Sequence, residues 1–307
     1  MTTKIYQVLA IVLLLLSGFS AQAAITCNIG SPGFSAVYDF ITTTPNDNMS
    51  SFTISCSRLS TDPSTLDYIA FTDDGLYNTG ANNKAKLTTG TSQINYDFFT
   101  TSSFATNWSK STKCIAGSVN FIGGSLSGSQ SKSYYSRIPA LQNTLPQGSY
   151  LDTVTLHASY NKTACTNNAT QDASGNFSVA ISNVPACEIT LPPGNVAFSY
   201  TAFQASATTA NTTFSTRCTT NLTYSVALDG APTSGVYPGV VSGLKYGLAI
   251  GTTAGGAAIL PTTSFSGNGT VLTYYINGTM AAGQAGSCAV GSATCTASDP
   301  RTLTITF

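Results

Sequence analysis

Eight cysteines in two matched spacings constrain this 307-residue chain more than any other feature. Cys27 and Cys56 have 28 residues between them, Cys187 and Cys218 have 30, and the second pair starts 160 residues after the first. The pattern predicts an internal duplication in which each copy carries its own early cross-link. Like spacing favours the pairs Cys27–Cys56 and Cys187–Cys218, which leaves Cys114 for Cys165 and Cys288 for Cys295. Cys165 stands in a polar stretch, so a different partner for it stays open. Each bond closing such a loop stabilises by about 2–4 kcal/mol, mainly by restricting the unfolded chain.

An even cysteine set of this kind belongs to an oxidising compartment. The N-terminus supplies an export signal: Lys4, an apolar run from Val8 to Leu16, and small residues at Ala21 and Ala23. That run is far short of the roughly 20 residues needed to span a bilayer. Residues 1–23 therefore read as a signal peptide cut after Ala23.

Charged residues make up 8% of the chain and cancel, whereas about 25% is usual for a soluble domain. Without a basic patch, nucleic acid is excluded as a partner. The chain offers little to catalysis. Asp73 and Asp74 lie in a turn context, and Gly251 to Gly256 lacks the Gly-Lys-Ser/Thr ending of a phosphate loop. His157, the lone histidine, is on the phase opposite Leu156 and Ala158 and is expected to face outward. The expectation is no enzyme, no metal and no cofactor.

Alternation of apolar and polar residues recurs along the chain, as in Phe52-Ile54-Cys56, Val154-Leu156-Ala158-Tyr160, Tyr224-Val226-Leu228 and Leu303-Ile305-Phe307. Turn residues punctuate these runs, as in Asp73-Asp74-Gly75 and Pro192-Pro193-Gly194. Many short strands joined by turns predict an all-β sandwich or barrel. The polar stretch from Asn161 to Gly175 separates the two cysteine repeats and suggests domains over residues 24–170 and 171–307.

Gly148-Ser149-Tyr150-Leu151-Asp152-Thr153-Val154 resembles the closing Gly-x-Tyr-x-Asp-x-Val motif of spore-coat-protein-U-type domains, the pilins of the archaic, Csu-type chaperone–usher pathway. Tyr96-Asp97-Phe98-Phe99, the later Trp108, and the early pair Cys27 and Cys56 are similar to further landmarks of that family. The resemblance covers most of Cys27 to Tyr160. It is looser in the second half, on Cys187, Cys218, Leu244 to Leu248 and the terminal Leu-Thr-Ile-Thr-Phe. It implies two immunoglobulin-like β-sandwich domains, the C-terminal one lacking its last strand. A periplasmic pilus chaperone would fill the gap first, engaging the strand with Leu303, Ile305 and Phe307. At the outer-membrane usher, the next pilin subunit would replace it by strand addition. Trp108, at a position the family shares, reads as structural.

Ordinary subunits of the family carry a donor segment before the first cysteine. Cleavage after Ala23 would leave only Ala24, Ile25 and Thr26 there, too short at about 3.4 Å per residue to complete a neighbour. A subunit that accepts a strand but donates none sits at the pilus tip, and a two-domain tip subunit suggests an adhesin for attachment and biofilm formation. Phe177, Val179 and Ile181 alternate just before Cys187 and are candidates for a strand that completes domain one in cis; the alternative is the first strand of domain two. Leu76, Tyr77, Phe104, Phe121 and Ile122 fall in turns and are candidate loops for an abiotic or host surface; the alternative is core residues at strand ends. Adjacent Phe98 and Phe99 point to opposite faces, so both are buried only if neither face is solvent. A self-contained secreted coat protein, or a sugar-binding module with a preformed pocket, is the competing reading.

Overall fold

The computed structural model describes residues 25–78, 83–167, 169–288 and 292–307, and the leader expected at 1–23 lies outside them. The alternation noted above becomes strands with one buried face. Over Asn46–Ser57, for example, Phe52, Ile54 and Cys56 are buried while Thr53, Ser55 and Ser57 are exposed.

The first half contains β1 (Thr26–Gly30), β2 (Phe34–Tyr38), β3 (Asn46–Ser57), β4 (Thr65–Thr72), β5 (Asn83–Leu87), β6 (Gln93–Phe99), β7 (Ile115–Asn120), β8 (Ser127–Ile138), β9 (Gly148–Tyr160) and β10 (Ala173–Asn183). The second contains β11 (Cys187–Leu191), β12 (Thr208–Cys218), β13 (Thr223–Leu228), β14 (Val236–Val241), β15 (Leu244–Gly251), β16 (Phe265–Ser266), β17 (Val271–Met280) and β18 (Leu303–Thr306). The fold is all-β.

In the first half β1-β3-β8-β6 forms one layer. In the other layer β9 lies between β4 and β10, with β7 beyond β4 and β2 beyond β10, and β5 bridges the layers by pairing both β6 and β9. This is the A-B-E-D over C-F-G arrangement of an immunoglobulin sandwich. The second half repeats it with β11-β12-β17-β15-β14 in one layer and β16-β13-β18 in the other.

Each sandwich has its own core. In the first, Trp108 is buried with its ring 5.3 Å from Phe52 and 4.9 Å from Tyr134, and its Nε1 donates to the Ala70 carbonyl at 2.8 Å. In the second, Phe214 stacks on Tyr274 at 5.3 Å, and the Tyr224 and Tyr274 hydroxyls share a hydrogen bond of 2.6 Å. Four disulfides join Cys27 to Cys56, Cys114 to Cys165, Cys187 to Cys218 and Cys288 to Cys295. The first and third tie directly opposed residues of β1–β3 and β11–β12.

Three expectations need correction. A division at residues 170 and 171 assigns β10 to the second half, yet Phe177, Val179 and Ile181 pack in the first core. His157 does turn away from Leu156 and Ala158, but that side is covered: its ring lies 5.4 Å from Phe71 of the paired strand β4, and burial pushes its pKa down. Phe121 is buried at 3% exposure beneath the Arg58 guanidinium, 5.1 Å from its ring. Phe98 and Phe99 are both buried, Phe98 in the core and Phe99 on the opposite face behind Phe104, 5.3 Å away.

Candidate functional site

The site is built from one strand edge that is occupied in the first sandwich and open in the second. In the first, β10 runs antiparallel to β9 along its whole length, from Ala173 opposite Ala158 to Asn183 opposite Gly148, and parallel to β2 on its other edge. Its inward residues Phe177, Val179 and Ile181 fill the core opposite Val154, Asp152 and Tyr150. The chain passes so closely that a Cβ on Gly175 would lie 2.2 Å from the Ile29 carbonyl oxygen. Asn183 then fastens the exit, its Nδ2 donating to the carbonyls of Leu145 at 3.1 Å and Pro146 at 2.9 Å.

The duplication allows strand-by-strand comparison. The Gln142 backbone N–H donates to the Tyr38 hydroxyl at 2.8 Å, and the Gln284 N–H donates to the Tyr200 hydroxyl at 2.8 Å. Each glutamine side chain then bridges to the backbone of Asn95 or Lys245. One residue on, the Tyr96 hydroxyl donates to the Asp152 carboxylate at 2.7 Å and the Tyr246 hydroxyl to the Asp299 carboxylate. Asp152 and Asp299 each precede an alternating run, which pairs with β4 in the first sandwich and β13 in the second: Leu156 opposite Thr72 and Ala158 opposite Ala70, against Leu303 opposite Leu228 and Ile305 opposite Val226. β18 is thus the counterpart of β9.

The two differ in what they carry. β9 pairs β4 on one edge and β10 on the other, whereas β18 pairs only β13, and among the described residues nothing pairs with its second edge. Leu303 and Ile305 are half-buried against the second core and Phe307 is exposed. The stretch matching the first half of β9 is irregular and exposed here, from Cys295 to Pro300. Arg301 anchors its end, donating from Nε to Asp229 at 3.0 Å, and this bond together with the Thr302 N–H holds the Asp229 carboxyl below its ordinary pKa. An open hydrogen-bonding edge beside half-buried core residues has the donors and acceptors to pair with an added strand.

The candidate surface loops are spread apart. Leu76 is exposed, and its backbone N–H is held by Asp152 at 3.0 Å; Tyr77 is half-buried with the Lys86 ammonium 5.7 Å from its ring. Phe104 is half-buried under the Arg137 guanidinium at 3.9 Å, near the end of β8. Ile122 is 84% exposed and lies beyond the other end of β8. At about 3.4 Å per residue the ends of this 12-residue strand are roughly 37 Å apart, so Phe104 and Ile122 share no patch. Sequence reading missed Ile122's real neighbours. Leu59 and Leu126 are also exposed, and Arg58 ties them together, its N–H bonded to the Leu126 carbonyl and its Nε to Ser125. Only the β3–β8 pairing brings these loops together.

Burial pushes the Asp97 carboxyl up to about 6, only partly offset by a hydrogen bond from the Asn83 N–H. An unfolded Asp titrates near ~3.9. The folded protein therefore binds more protons between those values, and stability rises as pH falls through 6 toward 4. Asp152, raised mainly by burial, acts in the same direction. His157, whose pKa burial lowers, acts in the opposite direction over the same range, so the test is differential: relative to wild type, Asp97→Asn should lose melting temperature at pH 5 compared with pH 7. An unchanged pH profile in that variant would count against this assignment.

Among the described residues no group of three or more His, Cys, Asp or Glu side chains could hold a metal ion. A hollow on the outer face of the second sandwich, walled by Thr209, Asn211, Gly247, Asn277 and Thr279, has no aromatic side chain in its lining on which a sugar ring could stack.

Residues 13–157 match the family model of the Spore Coat Protein U domain. No curated protein matches the chain. Among solved structures, the chain is similar to one in the complex of chaperone CsuC with tip adhesion subunit CsuE, from the archaic chaperone–usher Csu pili of Acinetobacter baumannii. Identity is 13%, coverage 92% of this chain and 100% of that one, and the TM-score 0.45. It is also similar to the CupB6 tip adhesin of Pseudomonas aeruginosa, at 12% identity, 92% and 94% coverage and a TM-score of 0.41.

Proposed function

We propose that this chain, which carries a Spore Coat Protein U domain, is the tip adhesin of a pilus built by a periplasmic chaperone and an outer-membrane usher. The observation that carries the reading is the contrast between β9, paired on both edges, and β18, paired on one. β10 serves as a donor strand in cis, so among the described residues the first sandwich, from residue 25 to residue 184, has no vacancy for a neighbour. The second begins at the Pro185-Ala186-Cys187 junction. Its open edge receives first the chaperone and then the strand of the next pilin subunit. A chain with one closed and one open acceptor ends a polymer.

The direction of the incoming strand follows from sterics. Thr306 pairs with Ser225, just beyond the Thr220 that touches Pro146 of the first sandwich. A strand parallel to β18 would exit into that sandwich. An antiparallel strand exits at the free end, as β10 does from β9. At the outermost end of the first sandwich, Leu59, Ile122 and Leu126 offer an apolar contact for an abiotic or host surface, and through it biofilm formation.

Periplasmic expression of the chain with and without its cognate chaperone tests the reading. Soluble protein is expected only as a one-to-one complex. A stable soluble monomer made without any chaperone would defeat it and leave the self-contained coat protein.

A further inference from the structure

We propose that the turn Thr201-Ala202-Phe203-Gln204 is the docking surface for the body of the pilin subunit that lends its strand to β18. The inference rests on the strand-acceptor reading above and adds a second contact to it. Phe203 is 72% exposed and has a φ of 58°, in the left-handed region that a bulky side chain avoids. The turn is nevertheless fixed on all sides. The Phe203 N–H donates to the Gln284 carbonyl at 2.7 Å and the Gly283 N–H to the Gln204 carbonyl at 2.9 Å. The Gln204 side chain accepts from the Thr201 N–H at 3.0 Å and donates to the Ser206 carbonyl and Thr208 Oγ1, both at 2.6 Å. A backbone held this firmly keeps the ring on the solvent side of the turn.

The first sandwich shows what such a turn meets. After Tyr38 the Thr42 N–H bonds to the Asp39 carbonyl at 3.2 Å; after Tyr200 the Gln204 N–H bonds to the Thr201 carbonyl at 3.0 Å. The two turns are equivalent, since Tyr38 and Tyr200 occupy equal places against Gln142 and Gln284. In the first sandwich this end abuts the body that follows β10. Phe40 is 0% exposed, with the Arg217 guanidinium 5.3 Å from its ring. Pro146 bridges to Thr220, and a Cβ on Gly269 would lie 1.7 Å from the Asn143 carbonyl oxygen. Among the described residues, no second body covers the same end of the second sandwich. A strand antiparallel to β18 leaves here, so the body behind it arrives beside Phe203. Phe203 stands where the first sandwich has Ile41, next to the Phe40 that Arg217 covers, so the partner surface that fits is one that covers an apolar side chain at this turn.

Two probes applied to the chain in its chaperone complex separate the outcomes: a synthetic peptide of the neighbouring subunit's donor strand, and that whole subunit. With Phe203→Ser, and with Phe203→Gly, which also relieves the backbone, peptide exchange should match wild type. Affinity for the whole subunit should fall roughly tenfold, while Phe203→Tyr should retain it. Equal affinity of wild type and Phe203→Ser for the whole subunit, with peptide exchange intact, would overturn the docking surface alone. A peptide that enters no variant, wild type included, would overturn the strand-acceptor reading and this inference with it.

Discussion

Val179→Asp will unfold the first sandwich and leave the second folded. Val179 is fully buried in β10 and directly opposes Asp152, which is itself buried and bonded to the Tyr96 hydroxyl. The substitution buries a carboxylate with no cation near it and sets it beside another carboxylate. Loss of an apolar contact accounts for about 1–2 kcal/mol, and an unpaired buried charge adds several more. That exceeds much of what a domain of this size has in reserve. Ser178→Asp, on the exposed side of the same strand, should shift stability by no more than about 0.5 kcal/mol. Hydrogen exchange read separately on β9 and β12 distinguishes the bodies. Normal protection of β9 in Val179→Asp would show that β10 is not needed to complete the first sandwich.

Trp108→Ala should be the other severe change, at about 3–5 kcal/mol. The indole is packed between Phe52 and Tyr134, with Phe98 at its edge, so its removal opens a cavity that aromatic neighbours cannot close without leaving their own contacts. Its Nε1 bond to the Ala70 carbonyl lies inside the core. Trp108→Phe keeps most of the volume and loses the donor, and should fall between wild type and Trp108→Ala by about 1–3 kcal/mol. Chemical denaturation followed by circular dichroism measures both. Equal stability of Trp108→Phe and wild type would mean that the bond contributes nothing net.

Local pattern carried much of this architecture. Alternation marks β3, β9, β13 and β18 because each buries one face, and a period of two survives any loop length. Phe177, Val179 and Ile181 stand out in the sequence for the same reason, but which core receives them depends on pairing with β9 just before them and with β2, far away in the chain. The covered face of His157 and the burial of Phe121 were illegible because Phe71 and Arg58 reach them through strand pairing and loop contacts that no local window contains. The terminal strand with Leu303, Ile305 and Phe307 was legible from its alternation, but its residue-by-residue match to β9 was not. Tyr38 and Gln142 are 104 residues apart, and Tyr200 and Gln284 are 84 apart. Loop lengths hid the equivalence until the hydrogen bonds aligned the two copies. Leu59 and Leu126 come beside Ile122 only through strand pairing, so no local window groups them.

β10 also determines how the molecule would carry force. Its last residue, Asn183, is followed after three residues by Cys187 of the second sandwich, so tension from a shaft reaches the first sandwich through this strand's C-terminal end. A grip at the outer end, by Ile122, pulls the opposite way. β10 lies along that axis and is bonded on both edges, antiparallel to β9 over eleven residues and parallel to β2 over five. Pulled lengthwise, those bonds are sheared together and cannot open one at a time like a zip. In the proposed tip adhesin, the strand that fills the first core would also be the cable between the surface and the fibre.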